Sequence, residues 1–119
     1  MGVLNRIFGR LTESDETRLA EEIRSWAETI PGSVRIKDAP LRTPTKLAGV
    51  VRRITVFPVE GQESLEAIVS DGTGEATIVF MGRRGIRGLT LGRRLVVEGM
   101  LGMQGGTPRM VNPRFEFKE

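Results

Sequence analysis

Apolar and polar residues alternate along most of the chain beyond residue 46, which is typical of strands with one face in a core. Two alternating runs, 65–70 and 75–81, flank the tetrapeptide Asp71-Gly72-Thr73-Gly74. Asp bonds its own backbone and Gly accepts a positive φ at little cost, so the tetrapeptide predicts a hairpin turn. Further runs predict three more strands, over 47–57, 94–101 and 108–117, the last interrupted by Pro113.

The predicted fold class is mainly β, a five-stranded barrel preceded by one amphipathic α-helix. Gly49 lies inside the long first strand, where it predicts a bulge that bends the strand around the barrel. Residues 82–92 contain four glycines, too many for a long helix, so we expect a loop with at most one short turn.

Residues 12–30 show helical periodicity instead. Thr12 or Ser14 provides the N-cap, and the first turn is acidic, as the helix dipole favours. Apolar residues then form one stripe: Leu19, Ile23, Trp26, Ala27 and Ile30. Pro31 and Gly32 end the helix. Trp26 is expected to pack on the body of the protein, with base stacking as the alternative.

The first eleven residues carry apolar side chains at helical spacing, which leaves two interpretations open. They form a short helix that frays or docks on the core, or they dock on a membrane surface, a protein partner or a second copy, in the last two cases together with the 12–30 helix. The residues concerned are Val3, Leu4, Ile7 and Phe8.

Residues 31–45 are predicted to form an extended linker, because Pro40 and Pro44 are incompatible with a helix. We therefore divide the chain into a helical segment with its linker, 1–45, and a barrel domain, 46–119.

Cysteine, histidine and tyrosine are absent from the sequence. This composition excludes disulfides, thiolate metal sites and Ser-His-Asp catalysis. The carboxylates show no spaced pair or Asp-x-Asp cluster suited to a hard metal ion. We therefore expect a protein that is not an enzyme and that uses no metal or cofactor.

The charge distribution is uneven. Residues 12–30 hold six carboxylates against two arginines, a balance of −4, whereas the whole chain carries +3. The remainder is therefore about +7, and most of that charge is arginine, which gives planar, bidentate contacts to phosphate. A basic barrel with an acidic appendage favours nucleic acid as the partner.

The sequence also bears on location. It has no apolar run of about 18 residues, and its first ten residues lack the apolar stretch and cleavage site of a signal peptide. We expect a cytoplasmic protein with no membrane span.

Four segments carry a family resemblance: Ser-Asp-Gly-Thr-Gly at 70–74, Ile-Val-Phe at 78–80, Leu-Gly-Arg-Arg-Leu-Val-Val-Glu-Gly at 91–99 and Val-Asn-Pro-Arg-Phe-Glu at 111–116. Together they resemble the oligonucleotide/oligosaccharide-binding (OB) fold family of nucleic-acid-binding proteins. The order is similar to that of anticodon-binding-type OB domains and of the wedge domain of RecG-type helicases. The whole chain also resembles small stand-alone OB-fold proteins of actinobacteria. Helicase and synthetase activities do not carry over, because the sequence contains no motor or catalytic domain.

The resemblance implies a binding face on the second and third strands, with phosphate contacts from basic side chains. Each candidate arginine has the alternative of a solvated surface residue. Arg52 and Arg53 are consecutive on one strand, so we expect at most one of them to line the groove. The full set of candidates is Arg52, Arg53, Arg83, Arg84, Arg87, Arg109 and Arg114.

Aromatic platforms for bases are few. Phe80 alternates with Ala76 and Ile78 and is predicted to lie in the core, whereas Phe57 and Phe115 lie near strand ends and are candidates for stacking or for core packing. Two functions remain open: binding of single-stranded nucleic acid, DNA favoured, in a basic groove, or protein interaction and oligomerisation without such binding. An acidic helix lying across the groove would reconcile the two.

Overall fold

Six strands and one helix form the regular structure of residues 13–59 and 62–119, the part of the chain that this computed structural model describes. The interpretations of Val3, Leu4, Ile7 and Phe8 lie outside the described residues. The elements are α1 (Glu13–Ala27), a 3₁₀ turn (Ile36–Asp38), β1 (Pro44–Val59), β2 (Gln62–Ser70), β3 (Glu75–Met81), β4 (Arg94–Gln104), β5 (Thr107–Val111) and β6 (Arg114–Lys118).

Five of the strands close into a ring in the order β1-β2-β3-β5-β4, with β4 pairing back to β1. All pairs are antiparallel except β3–β5. This is the strand order of an OB-like closed sheet, and the predicted fold class is confirmed. β6 continues along β4 after Asn112 and Pro113, so the predicted last strand is present but broken at the proline.

Alternate residues of the strands fill the interior, as the pattern predicts. The interior includes Leu65, Ile78 and Leu101, all essentially inaccessible to solvent. Phe80 is buried among them, as predicted. Phe115 and Phe117 of β6 pack at the edge of this core, with the Phe115 ring edge-on to Phe80 at 5.3 Å between centroids.

The bulge in β1 lies at Val51–Arg53, where Arg52 is the extra residue, and the prediction of a bulge at Gly49 is wrong. Gly49 pairs regularly with Leu95. A Cβ atom at Gly49 would lie 2.5 Å from a methyl group of Val69, so the glycine permits close approach of β1 to β2.

Helix α1 packs on the outside of the ring, over the β1–β4 pair. Ala27 lies against Ala48 and Val96, with Trp26 and Ile30 beside them, which confirms the packing role of Trp26. The helix ends at Ala27, earlier than predicted, because the next turn tightens to i→i−3 bonds. The Ser33 hydroxyl then donates to the carbonyl groups of Ala27 and Ile30.

The predicted hairpin turn also fastens the linker to the ring. The buried Asp71 carboxylate accepts hydrogen bonds from the N–H groups of Thr73 (2.8 Å) and Gly74 (3.2 Å) within the turn. Its second oxygen accepts the N–H of Ile36 at 2.8 Å. Ile36 is buried in the same core as the strands, so the linker closes one end of the barrel.

Candidate nucleic-acid interface

The outer face of β1, β2, β3 and β5 carries a row of residues aligned by register. Arg53 lies opposite Ile68, Ile68 opposite Thr77, and Thr77 opposite Arg109. The two arginines therefore lie at the ends of a row whose middle is apolar and hydroxyl-bearing. Adjacent strands are about 4.8 Å apart, so three spacings separate the two backbones by about 14 Å.

A second row lies toward the β1–β2 connection. Phe57 is opposite Ser64, and Ser64 is opposite Met81. The Phe57 side chain is 44% exposed and that of Met81 is 40% exposed, so this end of the face presents an aromatic ring and a thioether to solvent. Val111 of β5, at 47%, extends the apolar surface. Phe57 is thus placed where the sequence interpretation needs a stacking residue.

An ion pair crosses the middle of the face. Arg109 Nη1 on β5 lies 3.6 Å from Glu66 Oε2 on β2, and β3 runs between the two strands. Val79 of β3 lies opposite both Glu66 and Val111, on the outer side, yet it is fully buried. The Arg109–Glu66 pair therefore lies beside a fully buried valine on the outer side of the sheet.

The loop after Met81 contains three exposed arginines, Arg83, Arg84 and Arg87, and its first residues lie at the rim of this face. Arg84 Nε lies 2.8 Å from Glu63 Oε2 on β2. Among the described residues, neither Arg83 nor Arg87 forms an ion pair.

The bulge directs the two arginines of β1 to different surroundings. Arg53 lies in the outer row, whereas Arg52 lines a groove between β1 and α1 with Leu19 and Val50. Both side chains are exposed. The expectation that at most one of them lines the β2–β3 face agrees with this placement, although the cause is the bulge and not simple alternation.

Arg93 and Arg94 also lie near the bulge, and the sequence interpretation did not include them. The Val51 N–H donates to the Arg93 carbonyl at 2.9 Å, and Arg94 lies opposite Val50. Arg94 stacks on Trp26 and Arg93 on Phe117, at 5.0 and 4.9 Å from the ring centroids. Residues 82–94 contain five arginines and no carboxylate, a signal that was available in the sequence.

Two candidates lie away from this face. Arg114 pairs with Glu98 across the β4–β6 ladder, 3.7 Å apart, and the two line a separate groove with Lys46. Phe115 packs on the core, so the alternative of core packing applies to it.

Helix α1 does not cover the candidate face. Its apolar stripe is turned toward β1 and β4, and Leu19 is its one large apolar residue that stays exposed among the described part of the helix. The idea that the acidic helix lies across the basic groove is therefore not supported by its position.

Within the described residues, no group of carboxylates is arranged to hold a metal ion. Nor does any helix in residues 13–59 and 62–119 have the length and apolar content needed to cross a membrane.

Comparisons with known proteins bear on the fold. No protein-family model matches the chain. The chain is 28% identical over 110 residues to the DNA-directed RNA polymerase subunit beta of Aquifex aeolicus (strain VF5). The match covers 81% of this chain but only 8% of that subunit.

Among solved structures, the chain is similar to RecG bound to a three-way DNA junction, with a TM-score of 0.62. The sequences are 15% identical, and the match covers 72% of this chain and 12% of the other. At this identity the likeness establishes the fold alone. The chain corresponds to a small part of each of these longer proteins.

Proposed function

We propose that this chain is a non-catalytic module that binds single-stranded nucleic acid, DNA in preference to RNA, on the outer face of β1, β2, β3 and β5. One observation carries the proposal. Arg53 and Arg109 lie at the two ends of one cross-strand row, and Phe57 and Met81 are exposed two rows further along the same face. The row between them contains Glu66, Val79 and Val111.

The arrangement suits a single strand whose bases contact the middle of the face while its phosphates lie at the edges. Phosphates are attracted to the arginines at the edges and at the rim, where guanidinium groups give bidentate contacts. Bases stack on Phe57 and contact Met81 and Val111, which need no specific base because every base has an apolar face. A duplex, with its bases already stacked inside, cannot use this apolar surface.

The choice of DNA over RNA is supported by one similar structure, RecG bound to a three-way DNA junction, whereas the name of the similar DNA-directed RNA polymerase subunit contains both nucleic acids. A cytoplasmic location is part of the proposal. That the module lacks enzymatic activity is part of the proposal.

Protein docking is the second candidate function. It is favoured by the neutralised state of two arginines, Arg84 and Arg109, each paired with a glutamate of β2. With those charges compensated, the exposed Phe57, Met81 and Val111 would suit the apolar surface of a partner or a second copy.

A fluorescence-anisotropy titration with labelled dT and rU oligomers separates these functions. We expect dissociation constants in the micromolar range or weaker at moderate salt. The affinity should fall as the salt concentration rises from about 50 to about 200 mM. The double variant Arg53→Gln/Arg109→Gln should weaken binding and flatten the salt dependence, because each phosphate contact to a single strand contributes about 0.7 to the slope.

Arg114→Gln is the matched control, since it removes one exposed arginine from a different groove. Absence of binding at low salt would overturn the proposal and leave protein docking. Equal losses in Arg114→Gln and in either single variant would show that net charge matters and the face does not. The triple variant Arg83→Ala/Arg84→Ala/Arg87→Ala tests the rim separately.

A further inference from the structure

We infer that Glu63 and Glu66 of β2 set the affinity of this face, because they occupy two of its arginines and a bound phosphate must displace them. The inference rests on the proposed function and deepens it. It assigns a regulatory role to two carboxylates that lie within the interface and that a nucleic-acid-binding surface would not otherwise need.

Glu66 is built into the face. It lies next to Val79 in the β2–β3 ladder, and its carboxylate lies 3.6 Å from Arg109. The two side chains are only 23% and 28% exposed, so the pair is held more firmly than most surface pairs. The pair spans β3 between Thr77, which is opposite Arg109, and Val79, which is opposite Glu66.

Glu63 plays the corresponding part at the rim. Its carboxylate lies 2.8 Å from Nε of Arg84, and its carbonyl accepts the N–H of Gly82 at 2.6 Å, which ties the start of the arginine loop to β2. The Arg84 side chain is otherwise largely open to solvent. Within residues 13–59 and 62–119, Glu63 is the one carboxylate that pairs with it.

A phosphate that approaches Arg84 or Arg109 meets a carboxylate already bound there. Binding must break the ion pair, and the freed carboxylate then lies close to the phosphate as a like charge. Both effects weaken binding of any polyanion.

The test compares Glu66→Gln and Glu63→Gln with the unaltered chain, using a labelled dT oligomer over a series of salt concentrations. We expect each variant to bind about two- to fivefold more tightly, in line with the strength of partly exposed ion pairs. The salt dependence should steepen by about 0.7 for each arginine that gains a phosphate. A distant change of net charge would add no phosphate contact and would therefore not steepen the salt dependence in this way.

Glu98→Gln is the matched control, because it frees Arg114, which lies in a different groove. Glu66→Gln is also made in an Arg109→Gln background, where its gain should fall to that of the control. Thermal unfolding of each variant verifies that it is folded.

The outcomes separate the two claims. A chain that binds the oligomer while Glu63→Gln and Glu66→Gln behave like Glu98→Gln overturns the inference and leaves the proposed function standing. A gain for Glu66→Gln that persists without Arg109 also overturns it. If neither the unaltered chain nor the variants bind, the proposed function fails, and the inference fails with it.

Discussion

The two ends of the β2–β3 hairpin contrast in how their polar and apolar groups are used. At the turn, Asp71 is buried and bonded to three other residues, and Gly72 is pressed against the α1 backbone. At the opposite end, Met81 is exposed and the arginines after it extend into solvent. The same two strands thus end at one side in a turn that is hydrogen-bonded to the linker and packed on α1. At the other side they end in a solvent-exposed surface.

The contrast indicates which end of the hairpin is able to bind a ligand. A buried carboxylate whose hydrogen bonds are all made within the protein cannot bind a ligand as well. The Asp71 turn is therefore assigned a structural role and not a binding role. Exposed apolar side chains beside uncompensated cations have unused capacity. Substitutions at the turn should therefore have larger effects than substitutions at the opposite end.

Asp71→Ala should produce the largest effect. It removes the acceptor for the buried N–H of Ile36 and for the partly buried N–H groups of Thr73 and Gly74, and donors shielded from water are costly to leave without partners. We expect the free energy of unfolding to fall by roughly 3 to 5 kcal/mol, measured by chemical denaturation. The control is Asp38→Ala, an exposed aspartate, which should cost under about 0.5 kcal/mol. Equal costs would show that the turn does not fasten the linker.

Gly72→Ala and Gly82→Ala compare the two ends directly. Both glycines have positive φ, 86° and 76°. A Cβ atom at Gly72 would collide with the Ala20 carbonyl oxygen, whereas one at Gly82 would meet nothing. We expect Gly72→Ala to cost roughly 2 to 4 kcal/mol and Gly82→Ala about 1 kcal/mol, the strain of the left-handed backbone alone. Similar unfolding midpoints for the two variants would contradict this account.

Phe57→Ala should alter binding more than stability. Phe57 and Val56 are adjacent and similarly exposed, at 44% and 39%, but only Phe57 shares the outer row with Ser64 and Met81. Loss of the ring should cost about 1 to 3 kcal/mol of oligonucleotide affinity, measured by anisotropy. Val56→Ala should leave affinity within about twofold, and a comparable loss there would refute the stacking role.

Local patterns predicted most of the fold. The bounds of β3 and the turn before it follow from alternation and from Asp-Gly chemistry, which act within a few residues. Gly49 shows the limit, because a bulge and a close approach both require a missing side chain and only the three-dimensional pairing distinguishes them.

The candidate site was only partly predictable, because it too depends on three-dimensional pairing. The sequence identifies Arg53, Arg109 and Phe57 as candidates, but it does not show that the two arginines share a row. That requires the register of four strands. The pairing of Arg109 with Glu66 depends on the same register, so the carboxylates of β2 attracted no functional interpretation from sequence.

Ile36 gives the fold a practical boundary. A protein that started at residue 46 would keep every strand from β2 onward but would lose the side chain that closes the barrel and the N–H that Asp71 binds. A fusion that transfers this barrel to another protein would therefore have to include the preceding linker. The transferable unit of this molecule is longer than the sheet that gives it its shape.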